Sequence, residues 1–140
     1  FYITKNSKLQ WFQYRIIHRI LGTNELLLKI KIKDTNICSF GCGGVETIEH
    51  IFWTCPYISK LWEDLDSWIF EKTEIELTLN IDLVLFGILT KTDKNDIRNI
   101  ILLLTKFYIY RSKLAMEQTN IIALKNYLKE NLLIEKKYIL

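Results

Sequence analysis

The chain has 140 residues, 49% of them hydrophobic and 25% charged, with 5 glycines and 1 proline; this supplies one core and excludes a disordered or collagen-like chain. No apolar run reaches the roughly 18–20 residues that a membrane span needs, since residues 81–89 are interrupted by Asp82 and residues 100–104 are soon followed by Lys106. Three cysteines, an odd number within one short stretch, argue against a secreted disulfide framework and for metal binding in a reducing compartment.

The net charge of +3 is unevenly spread. Residues 1–37 carry seven Lys/Arg against Glu25 and Asp34, whereas residues 38–70 set Lys60 against five acids. Residues 101–140 are basic again. Basic ends around an acidic middle form a face for a phosphate backbone if they meet in space, and are scattered surface charge if they do not.

Residues 1–8 read as an arm or linker, and Phe1 in place of methionine predicts a piece of a longer protein. Over residues 9–21 the apolar side chains recur at helical spacing, with Phe12, Ile16 or Ile17, and Ile20 on one side and Trp11 and Tyr14 flanking. Arg15 and Arg19 fall one turn apart on the other side, with His18 at or near the surface. Gly22 is placed to end this helix as a left-handed cap. Residues 24–33, NELLLKIKIK, predict a helical turn running into an extended segment that stops at Asp34.

The next stretch, CSFGCGGVETIEHIFWTC, holds Cys38, Cys42, His50 and Cys55. Three thiols and one imidazole complete a tetrahedral zinc set with no position left for substrate. The competing readings are three cysteines buried as small hydrophobes and a Cys/His nucleophile, which needs a thiol left free. Thr47 is placed to cap a short helix through His50, and Glu46 or Glu49 to support a histidine nitrogen. Pro56 opens a helix to about Phe70 with Ile58, Leu61, Trp62, Leu65 and Trp68 or Ile69 as its apolar stripe.

Residues 71–80 read as a polar, acidic link, and residues 81–89 as a short buried helix or strand ended by Gly87 or Thr90. Asp93 or Asn95 is placed to cap the longest helix, about 96–116, with a stripe through Ile97, Ile100, Ile101, Leu104, Tyr108, Arg111 and Ala115. Asn120 caps a last amphipathic helix through Ile121, Leu124, Leu128 and Leu132, and residues 135–140 fray.

Arg15, Arg19, Lys29, Lys31 and Lys33, with Trp11 and Tyr14, interleave cations with aromatics; such a face holds phosphates by charge and bases by stacking. The plain alternative is a solvated helix face with its aromatics in the core. The same two readings apply to Lys106, Arg111 and Lys113. No paired carboxylates or phosphate-cradling glycine loop point to catalysis.

The run WFQYRIIHRILGTNELLLKIKIKDTNICSFGCGGVETIEHIFWTCPYISKLW resembles the zinc-binding region at the C-terminal end of non-LTR (LINE-type) retrotransposon reverse transcriptases. The likeness rests on the tryptophan-to-arginine helix, the pair Cys38 and Cys42, the ETIEH segment ending in His50, and Cys55-Pro56 leading to Trp62; KFYIYRSKL at 106–114 is similar more loosely. The resemblance implies Zn2+ on Cys38, Cys42, His50 and Cys55, contacts to RNA or DNA through Arg15, Arg19 and the 29–33 run, and no polymerase centre in this segment. It also implies a parent polymerase with an endonuclease, action in nucleus and cytoplasm, and no membrane. The family usually spaces its first two cysteines by two residues; here there are three, which leaves the place of Cys42 open.

The sequence thus predicts a mostly α domain over residues 9–134 with a structural CCHC zinc site. Its expected role is nucleic-acid binding in support of target-primed reverse transcription, the alternative being a structural or protein-interaction module.

Overall fold

The computed structural model describes residues 4–134, with side chains to residue 132, and in them six α-helices and one π-helical turn, the longest helix lying at the centre of the packing. Residues 1–3 of the expected arm and the expected tail at 135–140 lie outside the described residues. The architecture is mostly helical, as the periodicity predicts, and among the described residues there is no strand.

Helix α1, Ser7–Ile17, begins earlier than its apolar pattern because Asn6 caps it, its side chain accepting from the amides of Lys8 and Leu9. It also ends earlier, and not at Gly22. The Arg19 amide bonds to the carbonyl of Ile16 and the Ile20 amide to that of Arg15, closing a Schellman turn with Arg19 itself left-handed at φ 56°. Phe12 and Ile16 are therefore buried, while Ile17 and Ile20 face outward, and Arg15 and Arg19 are no longer successive rungs of one helix. Helix α2, Asn24–Lys29, closes in the same way on Lys31 at φ 63°. The left-handed turn replaces the expected extended segment, and Lys29, Lys31 and Lys33 all stand exposed.

The π-helical turn, His50–Thr54, leads into α3, Pro56–Thr73, whose whole expected stripe is buried, with both Trp68 and Ile69 inside. The link after α3 is not simply polar: Ile75 and Leu77 are buried in it, and the Leu77 amide donates to Asp66 at 3.3 Å. Residues 81–89 resolve into a helix, α4, Ile81–Phe86, capped by Asn80 and stopped at Gly87.

Helix α5, Asp93–Leu114, is capped by Thr92 rather than Asp93 or Asn95. Its residues 100–106 are buried without a break. Helix α1, the π turn and α6, Ile121–Ile134, all pack on it, so it is enclosed nearly all round rather than along one stripe. Arg111 and Ala115, expected on that stripe, are exposed instead. Asn120 caps α6, and Leu124, Leu128 and Leu132 seat it against α3 and α5. At the centre the Phe12 ring meets Phe52 and Phe107 edge-on, at 6.0 and 5.2 Å between centroids.

Enclosure of α5 buries Lys106, whose ammonium donates to Gln13 Oε1 at 2.6 Å and to the Leu85 carbonyl at 3.2 Å. Burial holds its pKa down to about 7. Between that value and about 10.4 the unfolded chain binds the extra proton, so this lysine makes stability rise with pH across the window. The expected outcome in thermal melts from pH 7 to 9.5 is that wild type gains on K106M at each low-to-high step; parallel curves for the two proteins would contradict this.

Candidate metal centre

The turn between Cys38 and Cys42 is closed by a short antiparallel pairing of residues 36–38 with 44–46. The Cys38 amide donates to the Gly44 carbonyl and the Glu46 amide to that of Asn36, each at 2.8 Å. Inside it each cysteine receives an amide from two residues on, Phe40 to Cys38 Sγ and Gly44 to Cys42 Sγ, both at 3.4 Å. The three-residue spacing is absorbed locally, because Phe40 turns its side chain into the core while Gly41 takes a φ of +85°. Gly44 answers a different need, since a Cβ there would lie 2.8 Å from Cε1 of His50.

The second half of the site depends on the π turn. Five residues along an α-helix would put Cys55 about 140° round from His50. The wider turn, closed by the Cys55 amide on the His50 carbonyl at 3.0 Å, returns both to one side. His50 Nδ1 lies 3.3 Å from Thr54 Oγ1, which leaves Nε2 as the ligand atom. Cys55 then heads α3 directly before Pro56.

The four ligand atoms of Cys38, Cys42, His50 and Cys55 all lie within 4.8 Å of one another. Cys38 Sγ and Cys55 Sγ are 3.9 Å apart, and Cys42 Sγ is 3.1 Å from His50 Nε2. A tetrahedral zinc with Zn–S bonds of about 2.3 Å implies sulfur separations of about 3.8 Å, so the donor set fits the ion and Cys42 belongs to it. All three cysteines are free, with none in a disulfide.

Burial pushes the Cys38 thiol up to about 12, and it raises Cys55 against the lowering pull of the Ile58 and Tyr57 amides. Burial lowers His50, which favours the neutral ligand form, while the Glu46 carboxylate pulls it the other way. Zinc would therefore displace thiol protons on binding. With all four positions filled by protein, the chemistry it supplies is cross-linking of the fold.

Neither acid supports the histidine as the sequence suggests. Glu49 pairs with Arg19. Glu46 is fully buried, its Oε1 accepting from the Asn24 amide and its Oε2 from the Ser39 amide, at 2.9 and 2.7 Å. Its ion-pair partner is Lys113, 2.9 Å away and itself buried. Lys113 also donates to Asn24 Oδ1 and Ser39 Oγ, so the network is closed. Burial alone would raise the Glu46 pKa, but Ser39 and Lys113 hold it below the usual carboxylate value. Its contribution to stability is thus present above the ordinary carboxylate pKa and lost as pH falls through the depressed one. Thr54 and Lys113 are the functional partners that sequence reasoning missed; a threonine four residues after His50 was the available signal.

Among the expected nucleic-acid residues, Lys113 is withdrawn into this network. Arg15 is half-buried with its guanidinium 5.9 Å from the Tyr110 ring, and Arg111 is exposed, at 5.9 Å from the Phe107 ring. Trp11 and Tyr14, whose alternative reading placed them in the core, are both exposed.

Residues 3–62 match the family described as zinc-binding in reverse transcriptase. The match spans all four ligands and is to a zinc-binding segment rather than a catalytic domain. No curated protein and no solved structure matches the chain. Zinc is the cofactor that this cluster takes.

Metal analysis is expected to find one zinc per chain, with C55S losing both the metal and the cooperative melt, and T54V binding zinc about 10-fold more weakly. A fully folded metal-free protein would contradict the structural role. Removing the ammonium in K113M leaves Glu46 buried without its counter-charge and is expected to cost about 3–5 kcal/mol in denaturant melts.

Proposed function

We propose that this chain is the C-terminal zinc-binding domain of a reverse transcriptase of the non-LTR (LINE-type) class. In this reading it works with the remainder of that enzyme in nucleus and cytoplasm, and it binds element RNA, target DNA or both in support of target-primed reverse transcription. The polymerase and endonuclease chemistry belongs to the parent protein.

The observation that carries the reading is the coincidence, within residues 3–62, of the family match, a closed four-ligand cluster and a stretch without any acid before Glu25. A filled zinc sphere has no position for substrate, so the domain acts through its surfaces. Lys29, Lys31 and Lys33 are exposed, and Lys5 and Lys8 are exposed ahead of them. Counterion release from a phosphate backbone would give such residues affinity without sequence specificity.

The test is a salt titration of binding to a structured RNA and to duplex DNA. K29Q/K31Q/K33Q is expected to keep its zinc while the slope of log K against log salt falls by about 0.9 for each lysine that neutralises a duplex phosphate. Zinc-loaded protein that binds neither probe at low salt would favour a structural or protein-interaction module instead.

A further inference from the structure

Helix α1 divides its aromatic residues between two environments. Phe12 is wholly buried, yet its neighbour Trp11 is 55% exposed and Tyr14 38%. The two exposed rings stack, with centroids 5.1 Å and planes 12° apart, and Tyr14 in turn meets the His18 ring at 4.1 Å and 37°. Three rings thus form a column along the solvent side of the helix.

The charge that helix α1 itself carries has one sign. Lys8, Trp11, Arg15 and His18 recur at three- and four-residue steps and so share a face. Lys8 is exposed, and Arg15 is held against Tyr110 with a buried Nε that has no hydrogen-bond partner among the described residues. The first acid in the sequence is Glu25, and the nearby Glu49 is paired with Arg19. An apolar protein partner would call for the rings but not for cations on a helix that carries no acid of its own. A polyanion carrying flat, unpaired rings of its own matches both.

We propose that the Trp11–Tyr14–His18 column, flanked by Lys8 and Arg15, is a stacking platform for the unpaired bases of single-stranded nucleic acid. The inference deepens the nucleic-acid reading above and rests on it. A base in a duplex has both faces covered by its neighbours, whereas an unpaired base offers a face to an aromatic side chain at modest cost. The cations follow the phosphates on either side, so selection is for strandedness rather than sequence.

The zinc-loaded full chain is titrated with an unstructured RNA of about 12 nucleotides, the DNA strand of the same sequence, and the blunt duplex of each, with tryptophan fluorescence as readout. Either single strand, or both, is expected to bind more tightly than its duplex and to quench the exposed Trp11; a preference between RNA and DNA identifies the source of the strand. W11A is expected to weaken single-strand binding about 10-fold with zinc content unchanged, while W11F keeps the affinity and loses the quench. Equal binding of duplex and single strand, with W11A like wild type, would overturn the platform and leave the phosphate-binding reading in place. Absence of binding to all four probes would remove both.

Discussion

Glu46 has no exposed surface, and its two carboxylate oxygens hold the amides of Asn24 and Ser39 and the ammonium of Lys113. A carboxylate in such a place is tolerated only when every lone pair is answered, because an unanswered charge in a protein interior is far costlier than any surface contact it replaces. The requirement acts on the chain as geometry. It fixes the start of α2, the residue after Cys38 and the last turn of α5 relative to one another, and these surround the first half of the zinc site. The turn that carries Cys38 and Cys42 is thereby seated on the helical body by an ion pair independent of the metal.

The second half of the site is tied to the body differently. Cys55 is both a ligand and the residue before Pro56, so the metal sits at the head of α3. The π turn that aligns His50 with Cys55 also carries Ile51 and Phe52 into the core, and the Phe52 carbonyl accepts from Trp62 Nε1 at 2.7 Å. Anything that loosens the ligands therefore loosens the packing of Phe12, Phe52 and Trp62 as well. Ligation and core formation are two aspects of one cooperative event, which is the behaviour of a structural zinc site.

Helix α1 connects this body to the surface through which the domain would act. One side supplies Leu9, Phe12 and Ile16 to the core, and the opposite side presents a ring column with cations beside it. Because the buried side is anchored against α5 and the π turn, the outer rings stand on a rigid support rather than on a loop. Rigid aromatic groups lose little conformational freedom when a base settles on them, so this placement suits the proposed stacking.

The helical class, the stripe of α3, the cap and stripe of α6, and the short stretch that carries the metal cluster were legible from sequence, because each rests on a local period or a short spacing that few other structures satisfy. The place of Cys42 in that cluster was not, and came from the geometry of the turn. The sequence by itself did not determine the two Schellman turns on Arg19 and Lys31, where charged residues occupy positions usually given to glycine, nor the π turn, whose extra residue leaves no compositional mark. The fate of the lysines was decided only by tertiary structure. Lys106 and Lys113 look in sequence like any surface cation, and they are buried because α5 is surrounded on nearly every side and Gln13, Leu85 and Glu46 arrive from distant parts of the chain to receive them. Trp11 underwent the reverse: periodicity left it between core and solvent, and the packing of Phe12 on Phe52 and Phe107 turned it outward. A spacing rule reports which residues share a face; which face is covered depends on partners that lie far away along the chain.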